Sequence, residues 1–125
     1  MNYFVTGIDT DSGKTMASAI LCEALEADYW KPVQAGLPTD SETVRSLLSN
    51  SKSTIHKETY LLKTPASPHA AAKIDGIRIS LDQFILPETE NDLIIEGAGG
   101  CLVPLNEHDF VIDLATKFTN EIILV

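Results

Sequence analysis

The sequence predicts an α/β fold in which a mainly parallel sheet carries helices on both faces. Short apolar runs alternate along the chain with stretches whose apolar residues recur at helical spacing, the pattern of successive strand–helix units. One run, Leu93–Ile95, is apolar at every position, as expected for a strand that is covered on both faces. With 125 residues the chain is long enough to bury one hydrophobic core, and we expect a single domain over residues 1–125.

The first half of the chain is predicted to contain three strands and two helices. The first helix begins near Met16, from where apolar residues recur at one-face helical spacing. The second helix follows Thr39, which forms a capping-box pattern with Glu42. The predicted strands are Asn2–Thr6, Tyr29–Val33 and Thr59–Leu62. The predicted loops are the glycine loop Gly7–Gly13 and the polar loop Ser49–Lys57. The predicted inner faces are Ala17, Ile20, Leu21, Ala24 and Leu25 in the first helix, and Val44, Leu47 and Leu48 in the second.

The second half continues with short helices and strands. Ser80 forms another capping-box pattern with Gln83, which predicts a brief helix that Pro87 ends. Because the chain stops on an apolar strand, we expect it to be the N-terminal part of a longer domain, the alternative being a C-terminal edge strand. The other predicted elements are a helix at Ser67–Lys73, a strand at Leu93–Ile95, a helix marked by Val111, Leu114, Ala115 and Phe118, and a strand at Ile122–Val125.

The composition excludes several classes of partner. Lys and Arg number 9 against 18 Asp and Glu, which gives a formal net charge of −9, and such a chain does not wrap nucleic-acid phosphates. No apolar run approaches the roughly 18 residues of a membrane span, and the N-terminus lacks the basic start of a signal peptide. Cys22 and Cys101 are too few for a disulfide scaffold. We therefore expect a cytoplasmic protein with no membrane or nucleic-acid partner.

The loop between the first strand and the first helix has the pattern of a phosphate-binding loop (P-loop). It runs from Gly7 to Gly13 and continues into Lys14 and Thr15. In this context the N–H groups of the loop and of the helix start form an anion cradle. Lys14 then supplies a charge for the β- and γ-phosphates, and the Thr15 hydroxyl is a ligand for Mg²⁺. Five residues rather than the usual four separate the glycines, and the alternative is a glycine-capped turn with an exposed lysine.

Further polar and glycine residues follow two other predicted strands, whose carboxyl ends should lie beside the P-loop. Glu96 ends the apolar strand and is positioned to hold Mg²⁺, directly or through water; the alternative is a solvated carboxylate. After it, the run 97–100 (Gly-Ala-Gly-Gly) leaves the backbone open to a ligand, the alternative being a tight turn.

The spacing alone does not decide the roles of Lys31 and Asp40. A lysine in an apolar strand usually extends its ammonium to solvent. If the Lys31 ammonium reaches the strand ends instead, it is a second cation for a phosphoryl group in transfer. Asp40 is either a third oxygen ligand for the metal or a carboxylate that the N-terminal dipole of its helix stabilises.

In combination, these motifs resemble those of the dethiobiotin synthetases, the ATP-dependent ring-closing enzymes of biotin synthesis. The matching blocks keep the order of the family and span nearly the whole chain. They are Phe4-Val-Thr-Gly-Ile-Asp-Thr-Asp-Ser-Gly-Lys-Thr15, Trp30-Lys-Pro-Val-Gln-Ala-Gly36, Tyr60-Leu-Leu-Lys-Thr-Pro-Ala-Ser-Pro-His-Ala-Ala-Ala72 and Ile95-Glu-Gly-Ala-Gly-Gly-Cys-Leu-Val-Pro-Leu105.

The resemblance implies a reaction and a set of site residues. A homodimeric enzyme of the P-loop type would carboxylate 7,8-diaminononanoate with CO₂ or bicarbonate, phosphorylate the carbamate with ATP and Mg²⁺, and close the ring to give dethiobiotin, ADP and phosphate. Lys31 would be the catalytic lysine between the carbamate and the γ-phosphate. The residues implied for ATP are Thr10, Asp11, Ser12, Gly13, Lys14, Thr15, Met16, Asp40, Glu96, Gly97, Ala98 and Gly99, and those for Mg²⁺ are Thr15, Asp40 and Glu96.

Two departures and two alternatives accompany this resemblance. Ala35 stands at a substrate-binding position where the family commonly has a Ser or Thr that hydrogen-bonds the substrate. The family is also longer, and its adenine-binding segment lies beyond Val125. The alternatives are a related P-loop synthetase of cobalamin synthesis and an ATP-driven switch of the ParA/MinD group. The switches carry an extra lysine five positions before Lys14, where this chain has Asp9.

Overall fold

Seven strands and four helices follow one another in the computed structural model, which describes all residues from 1 to 125. A single 3₁₀ turn, Leu81–Gln83, lies in the long connection of the second half. In chain order the elements are β1 (Asn2–Thr6), α1 (Lys14–Leu25), β2 (Asp28–Trp30), β3 (Val33–Ala35), α2 (Asp40–Leu47), β4 (Ile55–His56), β5 (Tyr60–Leu62), α3 (Pro68–Asp75), β6 (Leu93–Glu96), α4 (Val111–Phe118) and β7 (Ile122–Leu124).

The strands form two parallel sheets. The main sheet has the order β4-β2-β6-β1-β7, and β3 pairs with β5 in a small second sheet. In the main sheet Val5 of β1 lies beside Glu96 of β6, and Trp30 of β2 lies beside Ile95. The carboxyl ends of β1, β2 and β6 therefore meet at one edge, where ligand sites of such sheets form.

Side chains of the central strands alternate between two hydrophobic cores, one on each face of the sheet. Tyr29 and Ile94 point to the face that α1 and α2 cover. Trp30 and Ile95 point to the opposite face, in the same core as residues of α3 and α4. Each fully buried side chain of this size contributes roughly 1.5–3 kcal/mol to stability. The predicted α/β fold class, with helices on both faces of a parallel sheet, is confirmed.

The predicted inner face of α1 is largely wrong: of its three large apolar residues only Leu21 packs against the core, whereas Ile20 and Leu25 are exposed. The buried residues of α1 are Lys14, Ser18, Ala19 and Cys22, whereas Ile20 is 61% exposed. Lys14, Ser18 and Cys22 are spaced at i, i+4 and i+8, so one rotation of the helix places all three toward the sheet. The rotation of α1 is thus set by the P-loop lysine at its start and by small residues that let the helix lie close to the sheet.

The predicted strand Tyr29–Val33 is divided between the two sheets. Strand β2 ends at Trp30, and β3 begins at Val33 in the small sheet. Pro32 separates them because it has no N–H to donate to a ladder. Its carbonyl accepts hydrogen bonds from the N–H groups of Thr59 and Tyr60 instead, at 2.9 and 3.0 Å. Lys31 consequently lies at the end of β2 rather than within a strand.

Shorter elements show both confirmed and wrong predictions. The Thr39 hydroxyl oxygen accepts a hydrogen bond from the N–H of Glu42 at 3.1 Å, so the predicted cap of α2 is confirmed. Ser80 makes no side-chain cap, and the predicted helix after it is one 3₁₀ turn. Strand β4 lies inside the stretch predicted as a polar loop, since two residues at a sheet edge are too few to show a pattern. Leu47, predicted to face inward, is 46% exposed at the end of α2.

No helix in the structure combines the length and apolar character needed to cross a membrane.

A pair of substitutions tests the observed rotation of α1. Ile94→Ala should lower the free energy of unfolding by about 2–5 kcal/mol, because it opens a cavity beneath α1 in a fully buried region. Ile20→Ala should change it by no more than about 0.5 kcal/mol, because that side chain is largely in solvent. Urea unfolding of the wild type and both variants measures the difference. A loss for Ile20→Ala comparable with that for Ile94→Ala would contradict this rotation.

Candidate functional site

The P-loop connects the end of β1 to the start of α1 through two left-handed residues. Asp11 has φ 59° and Gly13 has φ 103°, and Gly13 is the N-cap of α1. The first N–H groups of a helix have no partner within it, and a glycine cap has no side chain to accept from them. These N–H groups are therefore available to an anion at the mouth of the loop.

The side chain of Lys14 folds back over this loop. Its ammonium donates to the carbonyl oxygen of Asp9 at 2.9 Å, and the residue is only 6% exposed. Burial, together with the nearby Lys31 ammonium, lowers the pKa of Lys14 from its usual value. A phosphate group in the loop would give this partly desolvated cation an anionic partner in place of a carbonyl.

Lys31 occupies the centre of the site and is 4% exposed, so its ammonium does not extend to bulk solvent. The ammonium lies 2.9 Å from Glu96 Oε2 and 2.6 Å from Asp40 Oδ2, and it donates to the carbonyl of Gly97 at 3.3 Å. Burial by itself would lower the pKa of this ammonium, but Glu96 and Asp40 outweigh burial and hold its pKa above the usual value. Lys31 is therefore a permanently charged cation at the strand ends.

Glu96 is the last residue of β6, is 1% exposed, and has donors on both carboxylate oxygens. Oε2 accepts from the Lys31 ammonium and from the Thr15 hydroxyl, the latter at 3.0 Å. Oε1 accepts from the Tyr29 hydroxyl at 3.1 Å. A buried carboxylate needs such partners to remain charged.

Asp40 reaches the site because Gln34 holds the start of α2. The Gln34 side-chain oxygen accepts from the N–H of Asp40 at 2.9 Å, and its amide nitrogen donates to the carbonyl of Gly36 at 3.2 Å. The sequence interpretation missed both Gln34 and Tyr29. A tyrosine in an otherwise buried strand was the available signal, because its hydroxyl requires a partner.

Two adjoining cavities open at this edge of the sheet. Their volumes are about 360 and 420 Å³, within the range of ligand pockets. The larger cavity is lined by the P-loop and by Glu96, and the smaller by residues 65–68 with Ala98 and Val103. Residues shared by both cavities are Thr10, Lys31, Gln34, Ala35, Asp40 and Gly99.

Most of the predicted site residues line these cavities, but two do not. The larger cavity is lined by Thr10, Asp11, Gly13, Lys14, Thr15, Met16, Lys31, Ala35, Asp40, Glu96 and Gly99. Ser12 lines neither cavity, and its buried hydroxyl has no hydrogen-bond partner. Gly97 contributes its carbonyl to Lys31, but its α-carbon packs against Phe4 and Val111.

The donor set fits Mg²⁺. Two carboxylates, Asp40 and Glu96, share the Lys31 ammonium, and the Thr15 hydroxyl donates to the Glu96 oxygen that contacts it. Mg²⁺ in nucleotide sites is typically held by one or two carboxylates, with phosphate oxygens and water completing the octahedron. Neither here nor elsewhere in the chain do three or more His, Cys, Asp or Glu side chains come together as a metal-binding group, so the site offers two carboxylates and a hydroxyl.

Comparison with known proteins identifies relatives over nearly the whole chain. A family model described as AAA domain matches residues 1–125. The chain is 62% identical to the ATP-dependent dethiobiotin synthetase BioD of Cytophaga hutchinsonii over 125 residues, covering 98% of this chain and 61% of the relative. It is 54% identical over 118 residues to the enzyme of that name from Christiangramia forsetii, covering 93% of this chain and 57% of the relative. The chain therefore spans about three fifths of the length of the curated relatives it matches.

Removal of the central cation tests the electrostatics of the site. Lys31→Gln should lower the free energy of unfolding at pH 7.5 by about 3 kcal/mol, because it removes the one ammonium that contacts both the Asp40 and the Glu96 carboxylates. Their repulsion makes the native variant bind a proton more readily than its unfolded chain, so the loss should shrink as the pH falls to 5. Urea unfolding at both pH values measures this. An equal loss at the two pH values would contradict the ionic interpretation.

Proposed function

The chain belongs to the AAA domain family, and we propose that it carries the ATP and carbamate sites of a dethiobiotin synthetase. The proposed reaction converts 7,8-diaminononanoate, CO₂ and ATP to dethiobiotin, ADP and phosphate. The observation that carries this proposal is the position of Lys31, whose buried ammonium lies where the P-loop cavity adjoins a second cavity. A site that joins two substrates needs such a shared charge, whereas simple nucleotide binding does not.

In this proposal the P-loop holds the phosphates of ATP. The N–H groups at the start of α1 donate to oxygens of the β-phosphate, and the Lys14 ammonium donates to phosphate oxygens in place of the Asp9 carbonyl. Met16 and Asp11 line the same cavity. The γ-phosphate then points toward Lys31, which is at the junction with the second cavity.

Lys31 would act on both partners of the phosphoryl transfer. A carbamate oxygen attacks the γ-phosphorus, the bond to ADP breaks, and a carbamic-phosphoric anhydride forms. The second amine of the substrate then attacks the anhydride carbon, loses a proton, and displaces phosphate to close the ring. The Lys31 ammonium stabilises the negative charge that builds on the oxygens in both steps, because burial strengthens its field and it is already in place.

Thr15, Asp40 and Glu96 would hold Mg²⁺ in the complex with ATP. When bound, Mg²⁺ neutralises phosphate charge and orients the β- and γ-phosphates. Gln34 sets the place of Asp40, as described above. In the second cavity Ala35 has no side-chain hydrogen bond to offer the diamine, so substrate contacts there would come from groups such as Thr10 and Ser67.

Asp9 supports this proposal against an ATP-driven switch of the ParA/MinD group. The switches have a lysine at this position of the loop, but here the Asp9 carboxylate accepts from the N–H of Thr10 at 2.7 Å. An acidic side chain that is bonded to its own loop cannot supply the second cation. The cytoplasmic location expected from the composition and the homodimer implied by the resemblance belong to this same proposal.

Lys14→Ala tests the phosphate assignment. We expect the affinity for MgATP to fall by roughly 2–4 kcal/mol, because a charge-assisted contact in a partly desolvated site is lost. The fold should remain, since Lys14 makes one hydrogen bond to a loop carbonyl. Calorimetric titration with MgATP is the measurement, and Lys52→Gln, at a largely exposed lysine outside both cavities, is the control. Unchanged affinity in Lys14→Ala would exclude the phosphate cradle.

Lys31→Gln in the full-length protein tests the reaction. Dethiobiotin formation from 7,8-diaminononanoate, bicarbonate and MgATP should fall on the order of 10²–10³-fold, the effect of removing a preorganised donor to a developing anion. ATP affinity should change little because Lys14 and the loop remain. The measurements are product analysis by mass spectrometry and single-turnover phosphate release at a temperature where the variant is folded. If the wild type makes no dethiobiotin, the proposed function is wrong; if the variant releases phosphate normally, the role of Lys31 is wrong.

A further inference from the structure

The Tyr29 hydroxyl is the only side-chain group that donates to Oε1 of Glu96. The two atoms are 3.1 Å apart, and both residues are buried, Tyr29 at 0% and Glu96 at 1% exposure. The other oxygen, Oε2, has two donors, the Lys31 ammonium and the Thr15 hydroxyl. Oε1 of this carboxylate therefore faces the core, and Oε2 faces the ligand cavity.

The sheet places Tyr29 for this contact. Tyr29 of β2 lies beside Ile94 of β6, and Glu96 is two residues further along the same face. The phenol ring therefore spans the diagonal between the strands and brings its hydroxyl to the strand end. The Tyr29 ring is packed in the core that includes Cys22 of α1 and Val44 of α2, and this packing holds the ring in place.

We propose that Tyr29 is a positioning residue that anchors Oε1 of Glu96, so that Oε2 remains turned toward Lys31 and toward a bound Mg²⁺. This inference rests on the proposed function, because it assigns Glu96 to the metal side of an ATP site. It adds a residue outside both cavities, acting through the carboxylate that it holds.

The chemistry of a buried carboxylate explains why such an anchor matters. Without the phenol, Oε1 is an acceptor with no donor in a region closed to water, which is costly for a charged group. Glu96 then relieves that cost by rotating Oε1 toward the Lys31 ammonium. That rotation turns Oε2 away from the position in which it is offered to the metal. Burial and the Glu96 charge raise the pKa of the Tyr29 hydroxyl, so it keeps its proton and remains a donor.

The test is the Mg²⁺ dependence of nucleotide binding in the full-length protein. Binding of a fluorescent ATP analogue is titrated with Mg²⁺, and is measured separately in EDTA. In Tyr29→Phe, which keeps the ring, the Mg²⁺ concentration at half-maximal binding should rise about tenfold, the effect of losing one hydrogen bond to a charged group. Binding in EDTA should stay within about twofold, since the phosphate loop is untouched.

Two further variants separate positioning from general loosening of the fold. Tyr60→Phe is the matched control. Its hydroxyl also takes part in one hydrogen bond, accepting from the N–H of Ser80 at 3.2 Å, but it lies outside the site, so the Mg²⁺ titration should be unchanged. In a Glu96→Gln background, adding Tyr29→Phe should change the Mg²⁺ titration by less than about twofold, because the anchored carboxylate is already gone.

Several results would overturn the inference. They are an unchanged Mg²⁺ titration in Tyr29→Phe, an equal loss of binding in EDTA, or the same tenfold effect in the Glu96→Gln background. If Tyr29→Phe does not fold at the working temperature, the titrations are run at a lower temperature at which circular dichroism shows it folded, and the same outcomes apply.

Failure of the proposed function has a different signature. A wild type that binds the nucleotide with Mg²⁺ and yields no dethiobiotin would exclude the reaction while leaving the Tyr29 result intact. A wild type that yields dethiobiotin while Tyr29→Phe titrates normally would exclude only the positioning role.

Discussion

The burial of the Lys31 ammonium is the constraint on which the rest of the structure depends. A charged group that is 4% exposed must be paired, because an isolated ion in the protein interior costs several kcal/mol or more. Its two partners come from different elements, Glu96 from the end of β6 and Asp40 from the start of α2. The pairing therefore ties the sheet to the helix that follows it. It also explains the bend at Pro32, which ends β2 where the ammonium can reach the sheet edge.

The same constraint explains why residues of the site are also residues of the core. Glu96 belongs to the most buried strand, and its carboxylate is satisfied by groups from β2, α1 and the β2–β3 connection. The helix α1 turns small residues toward the sheet because Lys14 at its start must face the loop. In this region packing follows from the position of the charges: Ala19 and Cys22 are buried, whereas the larger Ile20 and Leu25 are exposed. A polar network satisfied this fully costs much more to disrupt at one member than any single hydrogen bond suggests.

Sequence patterns predicted the elements whose apolar runs or stripes are unambiguous, and failed at the rotation of α1, where a charged side chain lies on the buried face. Strands β1 and β6 and helix α4 were predicted correctly because their runs have one interpretation, and the cap at Thr39 is a local hydrogen bond. The face of α1 was largely wrong because periodicity weighs large apolar residues and ignores a fixed lysine. Most predicted site residues lie together because parallel strands share an edge, yet Gln34 and Tyr29 act through contacts between elements distant in sequence. No single-sequence pattern contains such contacts.

The whole chain is strongly acidic, whereas the charged groups at the centre of the site cancel, and distance decides which of the two a bound ligand experiences. The chain carries a net charge of −9, which by itself repels a polyanion such as ATP. Within the site, the ammonium groups of Lys14 and Lys31 balance the carboxylates of Asp40 and Glu96, so the four together are neutral. Exposed carboxylates more than about 8 Å away are largely screened at physiological ionic strength, whereas buried groups are not. Attraction for phosphate must then come from the N–H groups of the loop and the start of α1, whose partial charges are unbalanced. The left-handed backbone at Asp11 and Gly13, which brings those N–H groups to the mouth of the loop, is therefore as necessary to anion binding as either lysine.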